Sequence, residues 1–215
     1  RQADGEMKTG LIDHDRISAA IREAEAKTSG EIYCVLARSS STYFYPSAFC
    51  LAVAMLALSG IIVLLLDWRW YQVDAIHVVA AQMLAYVAGL LVLRLFPALR
   101  IHLVPKRVRY ARAHENAVKQ FLARNIHLTE ARTGVLIFVS LAERYAEVVA
   151  DSGINGKVQQ DEWNRIVADL IASAADHRLT EGFVDAIENV GKLLAANFPW
   201  RSDDKNELDD HLVEI

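Results

Sequence analysis

Disulfide chemistry has almost nothing to work with in this chain, which holds two cysteines in 215 residues. Cys34 lies in a run that reads as a strand and Cys50 in a long apolar segment, so neither suits the other as a partner, and a reduced compartment fits both. The signatures of the common catalytic centres are also missing. No glycine-rich phosphate loop, no G-x-S-x-G, no H-E-x-x-H and no C-x-x-C occurs, which removes the usual nucleophile and zinc-site readings. Internal repeats and low-complexity tracts are absent as well.

Charge is missing from one long region. No Asp, Glu, Lys or Arg falls between Ser39 and Leu66, and YPSAFCLAVAMLALSGIIVLLL is long enough to cross a hydrocarbon core of roughly 30 Å as a helix. A second uncharged run, AIHVVAAQMLAYVAGLLVL, extends from Ala75 to Leu93. Both begin well inside the chain and lack a basic flank followed by a small-residue cleavage site, which sets them apart from a signal peptide. They read as a transmembrane helical hairpin over residues 43–104, with spans at about 46–66 and 75–96. The bland alternative is a buried helical hairpin of a soluble protein. Trp68, Trp70 and Tyr71 in the connection, and Tyr43, Phe44 and Tyr45 at the start, suit the two membrane interfaces.

The net charge of −4 hides an asymmetry. Arg94, Arg100, Lys106, Arg107, Arg109 and Arg112 follow the second span and Arg38 precedes the first, whereas the connection carries Arg69 alone. The positive-inside rule therefore places both ends and the soluble part in the cytoplasm, at an inner membrane. The basic run KRVRYARAH superficially suits nucleic acid, but beside a membrane span attraction to anionic lipid accounts for it without a nucleic-acid partner.

The rest alternates helix and strand. Residues 1–12 have no periodic pattern and read as a mobile tail. Ile17, Ala20, Ile21 and Ala24 recur at helical spacing after Asp13 or Asp15, and Gly30 stands where a left-handed residue is expected. The strand EIYCVLAR follows. Beyond Pro105 a helix carries Val108, Ala111, Val118, Phe121 and Leu122 on one side and ends near His127. TGVLIFVSL reads as an interior strand and RYAEVVADSG as its antiparallel neighbour across a short turn at Ala142–Arg144. Two helices follow, one with Trp163, Ile166, Val167, Leu170 and Ile171 and Asp161 as its cap, the other capped by Thr180 and stopped at Pro199. Three strands drawn from both sides of the hairpin imply one split domain, residues 13–42 with 105–215.

At RTGVLIFVSLAERYAEVVADSGI, then KVQQDEWNRIV, then a helix ending in NFP and the segment DDKNEL, the chain resembles the TPM domain family, and KTSGEIYCVLA is similar to the family's amino-terminal half. The resemblance implies a three-layer α/β/α sandwich, here an α/β fold with an inserted transmembrane hairpin. It does not imply a single activity. Plant thylakoid members are linked to photosystem repair and acid phosphatase activity, an animal member is an accessory receptor subunit, and some bacterial members bind calcium. An internal hairpin departs from the family's usual signal peptide or terminal anchor, which argues against a lumenal or extracellular role.

The stretch DSGINGKVQQDE, Asp151 to Glu162, approaches the EF-hand calcium loop: Asp151, Asn155, Gly156 and Glu162 occupy its first, fifth, sixth and twelfth positions. Gly153 removes a ligand, a strand precedes the loop, and no second hand is present. The alternative is a strand-to-helix turn in which Gly153 and Gly156 supply turn conformations while Asp161 and Glu162 complement a helix start. A variant of the metal reading has Asp151 sharing calcium or another divalent cation with Asp203, Asp204 and Asn206. No organic cofactor is implied. The functional expectation is a membrane-anchored accessory module that binds a membrane-protein partner, acting in assembly or maintenance. The alternatives are a low-activity metal-dependent phosphatase and an assembly factor working through its two helices.

Overall fold

A computed structural model of the chain describes residues 12–69, 74–129, 131–201 and 206–215. The chain divides into two compact units, residues 41–111 forming one and the residues on either side forming the other.

The flanking unit is built on a four-stranded sheet. Strands β1 (Glu31–Ala37) and β2 (Gly134–Ser140) run parallel at its centre, in register from Glu31↔Gly134 to Ala37↔Ser140. Every residue of both strands is buried. Continuous Val, Ile, Leu and Phe is what a strand covered on both faces requires. β3 (Tyr145–Ala150) returns antiparallel to β2, as the short turn demands, with Arg144 in the left-handed region at φ 52°. A fourth strand, β4 (Leu212–Glu214), pairs in parallel with the other edge of β1 and gives the order β3-β2-β1-β4. The sequence reading expected three strands and did not anticipate this one.

Alternation along the strands supplies two cores. On one face Ile32, Cys34, Leu36, Val135, Ile137 and Val139 pack with Ile17 and Ile21 of α1 (His14–Glu25). The same core takes in Trp163, Ile166 and Leu170 of α7 (Gln160–Ala175) and Phe183 and Ile187 of α8 (Leu179–Asn197). On the other face Tyr33, Val35, Ala37, Leu136 and Phe138 meet Ala117 and Phe121, from the latter part of α5 (Lys106–Ala123). The result is the expected α/β/α sandwich. A short helix, α6 (Ser152–Asn155), connects β3 to α7.

Several local expectations change. Asp13 caps α1 as expected, its Oδ1 accepting from the Arg16 amide at 3.0 Å. Asp161 is not the cap of α7: Gln159 holds that position and Asp161 lies in the first turn. Thr180 does not cap α8 either. The helix begins one residue earlier, and the buried Thr180 accepts a 3.1 Å hydrogen bond from the Asp13 amide, tying α8 to the start of α1. α5 ends at Ala123 and a 3-10 turn over Ile126–Leu128 follows. No described glycine has a positive φ, so Gly30, Gly153 and Gly156 do not serve as left-handed residues. Gly30 is small because a Cβ there would lie 3.0 Å from a Leu194 methyl.

The other unit holds α2 (Phe44–Trp68), α3 (Ala75–Leu95), α4 (Pro97–Leu103) and the beginning of α5. Among the described residues, α2 and α3 are the two helices long and apolar enough to cross a membrane, and their most apolar windows are 0% and 6% buried. Neither window is buried as a core helix of a soluble protein would be. Gly89 lets α2 and α3 approach closely, since a Cβ there would lie 2.7 Å from Leu51 Cδ2. α3 stops at Leu95 and Pro97 opens α4. Arg100 folds back over that end: its Nε donates to the Leu93 carbonyl at 2.8 Å and its guanidinium sits 5.4 Å from the Phe44 ring centroid. A cation thereby satisfies the negative end of the second apolar helix. Trp70 and Tyr71, expected at an interface, lie outside the described residues.

Candidate functional site

Asp151 ends β3 beside the amino ends of β1 and β2, where its amide donates to the Gly134 carbonyl at 3.0 Å. It is buried. Oδ1 caps α6, accepting from the Ser152 amide at 2.5 Å and the Ser152 hydroxyl at 3.0 Å, while the buried Oδ2 has no hydrogen-bond partner among the described residues. The other expected ligands turn elsewhere. Asn155 Nδ2 donates to the Ala150 carbonyl at 3.4 Å, half-buried Glu162 pairs with Arg165 at 3.4 Å, and Asn206 Nδ2 donates to Asp210 at 2.7 Å. Residues 152–155, which an EF-hand would wrap around an ion, wind as a helical turn. Asp203 and Asp204 lie outside the described residues. Among the described residues no three His, Cys, Asp or Glu side chains converge so as to hold a metal ion. Asp151 Oδ2 is buried and unpartnered, and no other expected ligand among the described residues turns toward it, so they do not form a calcium cage.

The carboxyl ends of β1 and β2 carry a polar cluster of their own. Glu143 is 2% exposed. It accepts from the Ser40 amide at 2.9 Å, from the Ser39 hydroxyl at 3.3 Å and from the Ser140 hydroxyl. Because Ser140 spends its proton on the carboxylate, the 2.9 Å contact between the Ser40 and Ser140 hydroxyls has Ser40 as donor. Asn116 Nδ2 lies 3.5 Å from the Ser40 hydroxyl oxygen. Glu143 therefore fixes the chain as it leaves β1. Glu143→Ala strands several donors at once and is expected to cost roughly 2–4 kcal/mol, read as a lower denaturation midpoint at unchanged slope.

Two further features escaped the sequence reading. Glu25, at the end of α1, accepts from the Ile32 amide at 2.8 Å on the β4 side of β1. Burial pushes its carboxyl up to about 9, opposed by the Ile32 hydrogen bond and reinforced by Glu31 and Asp210. At neutral pH it is a carboxylic acid hydrogen-bonded to Asp210, which also lies 3.5 Å from Arg22. A signal was available, since Glu25 follows Ile21 by one helical turn on the apolar stripe.

The second feature is a cavity of about 340 Å³ on the opposite face of the sheet. It is lined by Tyr33, the residues after α5 (Arg124, Asn125, Leu128 and Thr129) and Glu207, Leu208 and Asp209. Burial raises the Tyr33 hydroxyl above its usual range, while the neighbouring Arg124 guanidinium partly offsets this. Asn125 is left-handed at φ 58°, which turns the chain out of α5 and shapes the rim.

This geometry can be set against known proteins. A family model described as the TPM domain matches residues 97–193, the stretch holding β2, β3, α5, α7 and most of α8. That stretch, 97 of the 215 residues, is similar to a TPM domain. The helix and strand before the apolar helices complete its sheet, because β1 lies between β2 and β4. The NMR structure of the BA42 protein from the psychrophilic bacterium Bizionia argentinensis has the same fold. It aligns with a TM-score of 0.57 at 22% identity, covering 94% of this chain and 92% of that one. No curated protein matches the chain. In this sheet, Asp151 sits at the amino ends of the parallel strands and the Glu143 cluster at their carboxyl ends.

Proposed function

We propose that the protein is a membrane-anchored binding module: a TPM domain, held at the bilayer by an inserted helical hairpin, that engages a membrane-protein partner in assembly or maintenance. The observation that carries this reading is the place of the two exposed apolar helices in the chain. They fall between β1 and β2, which pair directly in one sheet. A chain that crosses a membrane between two paired strands must cross it an even number of times. The hairpin does so, and the cations Arg94, Arg100, Lys106, Arg107 and Arg109 after it, against Arg69 in the connection, favour the cytoplasmic side for the domain.

Membrane fractionation tests the anchor. The full chain is expected to stay in the pellet through alkaline extraction, and a variant lacking residues 43–104 to become soluble while unfolding cooperatively. Extraction of the full chain would sink the anchor, and a deletion variant that does not fold would sink the single split domain.

A divalent-dependent phosphatase is the competing reading, favoured by the buried, unpartnered Asp151 Oδ2 at the end of a core strand. Our account expects no divalent-dependent hydrolysis of a generic phosphomonoester. A rate that requires the cation and disappears in Asp151→Asn would transfer the function to that reading.

A further inference from the structure

We infer that the cavity bounded by Tyr33, Arg124 and residues 207–209 is a binding site for a small zwitterion, with a free α-amino acid as its chemical class. Its volume of about 340 Å³ lies at the small end of the roughly 300–1,000 Å³ span of ligand pockets, which suits a metabolite better than a peptide.

The lining decides the chemistry. One part supplies donors, the Arg124 guanidinium, the Asn125 amide and the Tyr33 hydroxyl; another supplies two carboxylates, Glu207 and Asp209; Leu128 and Leu208 are its aliphatic members. A phosphate or simple carboxylate would meet Arg124 but face two like charges. A simple amine would meet the carboxylates but face the guanidinium. An amino acid places its carboxylate on Arg124 and its ammonium on Glu207 and Asp209, leaving a small apolar side chain for the leucines. Arg in a planar fork is the side chain suited to a carboxylate.

The walls are also built in advance. Tyr33 belongs to a central strand, and Leu208 packs on the core beneath it. The Glu207 amide donates to buried Glu31 at 3.3 Å. Asp210, the next residue along, is held by Glu25, Arg22 and Asn206. A site whose walls are fixed before binding spends less of its interaction energy on ordering.

Calorimetric titration of the full chain in lipid nanodiscs tests this, with the free amino acids, N-acetyl-leucine, leucinamide and inorganic phosphate as probes. A free amino acid is expected to bind, with the acetylated and amidated forms at least tenfold weaker. Arg124→Gln and Asp209→Asn, both at exposed positions, should each weaken it at least fivefold with unchanged melting temperature. Equal binding of either blocked form, binding of phosphate alone, or no heat from any amino acid would overturn the assignment. This site stands apart from the membrane reading, which fractionation tests separately.

Discussion

Replacing Glu25 with Gln is expected to flatten a pH dependence that the native protein shows between about pH 5 and pH 9. Glu25 holds its proton up to about 9 in the folded chain, chiefly because burial disfavours the carboxylate, whereas an unfolded Glu releases it near 4.3. Between those values the folded state binds more protons than the unfolded one. Stability is therefore fully present below the unfolded value and is lost as pH rises through the folded one, at up to about 1.4 kcal/mol per pH unit. Gln keeps an acceptor for the Ile32 amide and a donor toward Asp210 without titrating. Denaturant midpoints from pH 5 to pH 9 should fall in the native protein and stay level in Glu25→Gln, and parallel curves would show that Glu25 is ionised in the fold. The tail should register the change first. Asp210 lies just ahead of β4, a strand of three residues, so hydrogen exchange at Leu212–Ile215 should accelerate toward pH 9.

Gly153→Asp is expected to destabilise the domain by about 2–3 kcal/mol and to confer no calcium affinity. On the motif alone this change restores an EF-hand ligand. In the fold a Cβ at residue 153 would lie 2.5 Å from the Arg132 carbonyl oxygen and 3.0 Å from that of Ala131. Both are backbone atoms, and Arg132 is held left-handed at φ 52° with its amide on the Thr129 carbonyl, so that segment yields only by distorting. Thermal unfolding with calcium titration reads both effects. A stable variant with gained calcium affinity would restore the metal-loop reading.

Gly153 also shows where the sequence was informative and where it was not. DSGINGKVQQDE matched a ligand pattern by spacing, but what excludes a side chain at Gly153 is the backbone of residues 131–132, which no local pattern registers. Long apolar or periodic elements were legible because their own residue pattern sets them. The unbroken GVLIFVS of β2, the Trp163–Ile166–Leu170 stripe of α7 and the apolar lengths of α2 and α3 each encode their surroundings. Elements fixed by distant partners were not. β4 is a strand because the edge of β1 is open to it, and LVE after an acidic run is too short to announce this. Thr180 looked like a cap, yet its partner is Asp13, at the other end of the domain's sequence. The cavity joins the turn after α5 to residues 207–209, and Arg124 and Asp209 carry no shared motif that would link them in advance.

The account stands or falls on the side of the membrane that the domain occupies. Reporters fused after Arg69 and after Ile215, one active only in the periplasm and one only in the cytoplasm, measure it directly. A hairpin anchoring a cytoplasmic α/β domain predicts periplasmic activity after Arg69 and cytoplasmic activity after Ile215. Periplasmic activity at both positions, or cytoplasmic activity at both, would contradict it.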